Sequence, residues 1–164
     1  DFDLDNMARL FRMADFPVVC ANYDVSATVL KDLVKPYVVF ERDGVKIGVL
    51  GLGCQLEGMV QANKCVGVVY NDPVTVANEV AAVLKEKEGC DVVVCLSHLG
   101  VQYDENQLIP KTRNIDVVLG GHSHTFMKGP KTLLNMDGKN VSLMHTGKSG
   151  IYVGQMDLTL EKKK

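Results

Sequence analysis

No stretch of the 164-residue chain approaches the roughly 20 consecutive apolar residues that a membrane-spanning helix needs. Charge of one sign is also lacking: 18 Lys and Arg face 20 Asp and Glu. A near-neutral chain projects no strong field toward a nucleic acid or an anionic membrane. The basic run Lys162–Lys164 is short and reads as a solvated tail or linker. No basic leader opens the chain. It starts Asp1-Phe2-Asp3-Leu4-Asp5, the reverse of a secretory n-region, as a mature product or a fragment would. Cysteine is sparse: the five (Cys20, Cys54, Cys65, Cys90, Cys95) are odd in number and lack metal-ligand spacing. Cys20 and Cys95 lie in apolar runs and read as small buried hydrophobes, and a disulfide framework is not expected at this length. Internal repeats, low-complexity segments and internal linkers are absent. Thr146-Gly147-Lys148-Ser149-Gly150 lacks the Gly-x-x-x-x-Gly-Lys spacing and strand-to-helix context of a nucleotide phosphate loop. No Ser-His-Asp or Cys-His arrangement is evident along the chain, although one assembled in space would not show there.

What is present is an ordinary globular composition, 46% apolar and 23% charged, and an alternation of helix and strand patterns. Leu4, Met7, Ala8, Leu10, Phe11 and Ala14 form a helical stripe that Pro17 ends. Pro17–Ala21 reads as a short buried strand, and Val25–Leu33 is ambiguous. Tyr37–Glu41 and Val45–Leu50 flank Asp43-Gly44, a strong hairpin signal. Leu50–Lys64, with glycines close by, reads as a loop. Asp72-Pro73 predicts a capped helix start, with Val76, Val80, Val83 and Leu84 as its apolar face and Gly89 as its stop. Asp91–Leu96 and Ile115–Leu119 are continuous apolar runs, as in strands covered on both faces. Between them Gln102–Thr112 predicts a helix cut by Pro110. Lys131–Asn135 and Val141–His145 flank a second hairpin at Asp137-Gly138, and Tyr152–Leu160 reads as a last strand. The order fits a layered α/β sandwich with a mixed sheet.

The chemistry concentrates in the histidines, all four in the second half: His98, His122, His124 and His145. His98 follows one buried apolar strand; His122 and His124 follow the other, after Gly120-Gly121. In open α/β sheets ligands bind at the carboxyl ends of the strands. Neighbouring strands lie about 5 Å apart, so three imidazoles can converge there. Spacing i, i+2 in an extended segment puts His122 and His124 on one side of the backbone. Neutral imidazole offers one nitrogen to a metal ion while the other is oriented by a neighbour. A single histidine at a strand end is usually only a hydrogen-bonding group; the two sites together favour the metal reading. His145, inside a predicted strand, reads as structural, and so do Asp91 and Asp116 at strand starts. Asn22 reads as a turn residue, with a place facing the site as the alternative.

Ser97-His98-Leu99-Gly100 and Ile115-Asp116-Val117-Val118-Leu119-Gly120-Gly121-His122-Ser123-His124-Thr125 resemble the last two metal-binding motifs of calcineurin-like metallophosphoesterases, the 5′-nucleotidase branch above all. Phe16–Tyr23, Val45–Leu52 and His145–Gly154 agree. The resemblance implies the second half only of an α/β/β/α sandwich, with residues 1–161 as the later part of a catalytic domain and 162–164 as a tail. It implies two divalent ions (Zn, Mn, Fe or Co), His98 and His122 binding one and His124 the other. Asp1-Phe2-Asp3 would end a Gly-Asn-His-(Glu/Asp)-Phe-Asp motif, and Asp3 would orient the catalytic histidine; the plainer role for Asp3 is a helix cap. The family's Asp-x-His, bridging Asp, metal-binding Asn and catalytic His all precede Asp3, and its nucleoside-binding domain would follow Lys164. The implied activity is hydrolysis of a phosphate ester, a nucleoside 5′-monophosphate in particular, with a periplasmic or extracellular location. The alternatives are a non-catalytic metal-binding module or subunit, and a related cyclic-nucleotide phosphodiesterase or sulfur-ester hydrolase. On either enzymatic reading the partner is a small molecule, and the missing first part of the domain completes the site.

Overall fold

The computed structural model describes residues 3–160. Asp1, Phe2 and the proposed tail 162–164 lie outside that range. In chain order the elements are α1 (Leu4–Met13), β1 (Val18–Val19), β2 (Tyr23–Asp24), β3 (Val34–Lys35), β4 (Tyr37–Arg42), β5 (Val45–Gly53), β6 (Val69–Tyr70), α2 (Pro73–Ala82), β7 (Val92–His98), α3 (Val101–Tyr103), β8 (Val117–Gly120), β9 (Lys131–Leu134) and β10 (Asn140–His145). α2 runs on through a wider π-type turn, Val83–Lys87, before Gly89 takes a positive φ of 68°. α3 likewise continues through a π-type turn, Asp104–Leu108, and tightens at Pro110 into a 3-10 turn, Ile109–Lys111. Proline has no N–H to give an interior helical bond, which suits it to that last turn.

The main sheet has six strands in the order β4-β5-β7-β8-β10-β9. Its four central strands are parallel, and an antiparallel hairpin closes each edge. Strand alternation puts Val93, Cys95 and Ser97 on one face and Val94, Leu96 and His98 on the other. The first face is dry. Leu50, Val93, Cys95, Val118 and Leu143 pack there against Ala77, Ala81 and Leu84 from the α2 region and Leu108 and Ile109 from the α3 region. Each fully buried leucine contributes about 1.5–3 kcal/mol to this layer. The opposite face is open: Leu96 is 41% exposed and Leu119 is 40% exposed. One helix layer on one sheet, with an apolar second face, is the arrangement of half a layered α/β sandwich. A smaller cluster (Ala8, Val25, Leu30) holds α1 against the segment that follows it.

Asp72 caps α2 as the sequence predicts, its carboxylate accepting Thr75 N–H at 2.8 Å. Asp91 and Asp116 are structural: Asp91 accepts Lys46 N–H and Asp116 accepts Val93 N–H, each at 2.8 Å. Two expectations need correction. Leu50–Gly53 is not loop but the end of β5. The glycines there serve close approach: a Cβ on Gly51 would sit 2.2 Å from the Val19 carbonyl oxygen. Tyr152–Leu160 is not a strand. Its alternation is real, but a strand exists only by pairing. Among the described residues no backbone hydrogen bond joins 152–160 to another segment, and Val153 is 96% exposed. Cys20 is half-buried rather than buried, and all five cysteines are free thiols.

Candidate metal centre

The site forms where the parallel strands end. Register pairs Gly53 with His98 and Ser97 with Gly120, so the carboxyl ends of β5, β7 and β8 lie side by side. Gly121 N–H donates to the Ser97 carbonyl at 2.8 Å and extends this contact into the loop. A hollow of about 430 Å³ opens over these ends, lined by His98, Gly120 and Gly121 together with Cys20, Tyr23 and Leu119. Asn22 braces the end of β5, whose Gly53 lines the hollow. It is fully buried, donates to the Gly53 carbonyl at 2.9 Å, and accepts Gly53 N–H at 2.8 Å. The side-chain amide therefore acts as one more strand partner for the end of β5, not as a turn residue. Its partner is 31 residues away, which no local pattern reveals.

His98 is the last residue of β7, and its ring lies 5.1 Å from that of His122, edge to face at 70°. Gly121 permits this, since a Cβ there would come 3.1 Å from His98 Nδ1. Burial, then the neighbouring His122 and His124, push the His98 pKa below its ordinary value. A neutral ring with a free lone pair is the form that binds metal.

The expected convergence of three imidazoles is not met. Among the described residues, no three His, Cys, Asp or Glu side chains form a ready metal-binding group. The reason is backbone conformation. His122 and His124 adopt φ of 69° and 55°, not an extended strand, so the i, i+2 rule does not apply to them. Ser123 N–H donates to the Gly121 carbonyl at 2.9 Å, closing a γ-turn of the rare positive-φ kind around His122. Such a conformation in a non-glycine residue is unfavourable by about 1–3 kcal/mol, and it clusters where ligands bind. Ser123 Oγ accepts Val101 N–H at 3.1 Å, which ties the loop to α3. Two imidazoles side by side, one at the end of β7 and one on a loop held in strained turns, fit part of a nitrogen-donor metal site. No carboxylate completes it among the described residues.

Asp3 is engaged as a helix cap. Its carboxylate accepts Asn6 N–H at 2.9 Å as the N-cap of α1, and it lines a separate hollow with Thr28, Asn63 and Val66. Sequence reasoning missed Ser97 and Asp104, which meet His145, read as structural, behind the site. The only local signal was the burial expected of a histidine in a strand.

No family model matches the chain. Individual proteins do. The trifunctional nucleotide phosphoesterase YfkN of Bacillus subtilis is 27% identical over 170 residues, 93% of this chain and 11% of that protein. Its crystal structure, described as a calcineurin-like phosphoesterase, shares the fold with a TM-score of 0.70 at 24% identity over 88% of this chain and 50% of that one. The 5′-nucleotidase of Vibrio cholerae is 30% identical over 145 residues, 79% of this chain and 26% of the relative. The crystal structure of a 5′-nucleotidase precursor from Thermus thermophilus matches at TM-score 0.78 and 30% identity, covering 85% of this chain and 29% of that chain. Nucleotide phosphoesterases are thus among the chain's relatives. Several of them are 5′-nucleotidases, and the fold matched is one α/β segment of those proteins. The chain spans only 11–31% of the length of the curated relatives it matches.

Proposed function

We propose that this chain is the later part of the catalytic domain of a metal-dependent phosphoesterase, residues 1–161 being that part. The reaction is hydrolysis of phosphate esters, nucleoside 5′-monophosphates in particular. The observation that carries the reading is the pairing of His98 and His122 at the ends of adjacent parallel strands, 5.1 Å apart. The positive φ at both His122 and His124 supports it, as do 5′-nucleotidase relatives of 24–30% identity.

On this reading His98 and His122 hold one divalent ion and His124 holds a second. When bound, such ions neutralise phosphoryl oxygens and activate a water molecule as nucleophile. The chain's own part is to present imidazoles from a fixed edge. His98 keeps its lone pair free because burial and its histidine neighbours disfavour protonation. The hollow beside it has room for a phosphate group. Asp3 orients a histidine supplied from outside the chain, which would then protonate the leaving oxygen.

A non-catalytic metal-binding module is the second reading. One observation favours it: no three-residue metal group is formed among the described residues. The two are separated by phosphate release from nucleoside 5′-monophosphates by the complete protein, with cyclic nucleotides in the same panel. His124→Ala should abolish that release without unfolding the protein. Activity within about twofold of the parent removes His124 from the site.

A further inference from the structure

We propose that the buried Ser97–Asp104–His145 network is a positioning device for the histidine site, setting the spacing between β7 and the Gly120–His124 loop. This rests on the metal-site reading above. Asp104, fully buried at the start of the π-type turn after α3, binds both partners. Its Oδ1 accepts the Ser97 hydroxyl at 2.5 Å, and its Oδ2 meets His145 Nε2 at 2.9 Å. The network thereby joins β7, the α3 region and β10.

It is not a nucleophilic triad. The carboxyl group stands between serine and histidine, and all three residues are at most 5% exposed, so no substrate reaches the hydroxyl. Each end instead abuts backbone next to a proposed ligand. Ser97 precedes His98; its carbonyl takes Gly121 N–H at 2.8 Å and its hydroxyl takes Leu99 N–H at 3.2 Å. His145 pairs with Gly120 across the sheet, and its ring fills the space of the missing side chain, Nε2 lying 2.0 Å from where a Cβ would stand. Alternation places Ser97 and His98 on opposite faces of β7, so the network acts through the backbone and not by touching the ion.

Among the described residues, the buried His145 Nδ1 has no hydrogen-bond partner. A leucine would fill the same space with no unmet nitrogen. What the imidazole supplies is the Nε2–H bond to Asp104. Orientation of metal ligands by residues behind them typically governs affinity by 10–100-fold.

The test is Co²⁺ titration of the complete protein, reading both the dissociation constant and the visible d–d spectrum, with circular dichroism as a check on folding. His145→Leu is expected to fold, to bind Co²⁺ about 10–100-fold more weakly and to show shifted bands. His145→Gln, which keeps a donor for Asp104, should return affinity to within about threefold of the parent. Ser97→Ala removes a single hydroxyl and is read in its place if His145→Leu does not fold. Parent-like affinity and spectrum in the folded variant overturn the proposal. His98→Ala separates the two ideas. If the parent takes up no Co²⁺, or His98→Ala binds as the parent does, the metal reading fails and takes this proposal with it. If His98→Ala loses the ion while His145→Leu keeps it unchanged, only the positioning role is overturned.

Discussion

Gly120→Ala should be among the most damaging single-methyl additions to this chain, and the reason is steric. Gly120 has no unusual φ, so backbone strain is not the issue. Its Cβ would stand 2.0 Å from His145 Nε2 and 2.3 Å from Cε1. Neither side can retreat. The strand is held in register with both Ser97 and His145, and the ring is 1% exposed and bonded to Asp104. Overpacking a dense interior is unfavourable by about 1–3 kcal/mol. Displacing the ring also leaves Asp104 short of a partner, a further penalty of about 1–3 kcal/mol. Reduced freedom of the unfolded chain returns about 0.4–1 kcal/mol. The net loss is therefore about 1–5 kcal/mol, centred on about 3 kcal/mol, measurable as a shifted urea midpoint. Gly129→Ala, with nothing within 4 Å of the new methyl, should stay within about 0.5 kcal/mol of the parent. The decisive comparison is a double-mutant cycle. In a His145→Ala background the space is vacant, and Gly120→Ala should then be nearly neutral, a coupling as large as the single-mutant loss, about 3 kcal/mol. Additivity to within about 0.5 kcal/mol would refute the steric argument.

Two other predictions separate structural from chemical roles. Asp3→Asn keeps an N-cap acceptor, so stability should hold, whereas Asp3→Ala should lose about 1 kcal/mol. A fall of at least about tenfold in phosphate release for Asp3→Asn, at unchanged melting temperature, supports the orienting role; full activity restricts Asp3 to capping. His98 has its pKa lowered by partial burial, then by the histidines beside it. The unfolded chain therefore binds the extra proton more readily, so this contribution to stability is present above about pH 6.5 and is lost as pH falls through the folded value. Ring-proton NMR of the metal-free protein should give His98 a midpoint below that of a free histidine, and His98→Gln should flatten the acid limb of the stability profile. A midpoint at or above about 6.5 would sink this.

What could be seen in the sequence was what neighbouring residues decide together. The Asp72-Pro73 cap, the Asp43-Gly44 hairpin and the two apolar strands ending at the histidines depend on contacts a few residues apart. The paired site at the ends of β7 and β8 was visible for the same reason. Most of the failures are long-range. Asn22 closes on Gly53, 31 residues on, and His145 on Asp104, 41 residues back. Leu50–Gly53 looked like loop because its glycines suit turns, whereas Gly51 is there to pass under Val19. Tyr152–Leu160 alternates like a strand, but pairing rather than pattern makes one. The positive φ at His122 and His124 was invisible because nothing in a His-Ser-His segment asks for a left-handed turn.

The central claim is that His98, His122 and His124 belong to a working metal site. Elemental mass spectrometry of the complete protein as purified tests it most directly. About two transition-metal ions per chain, falling when His98 or His124 is replaced by alanine, is the predicted result. Less than about one ion per chain, unchanged by either substitution, would contradict the account.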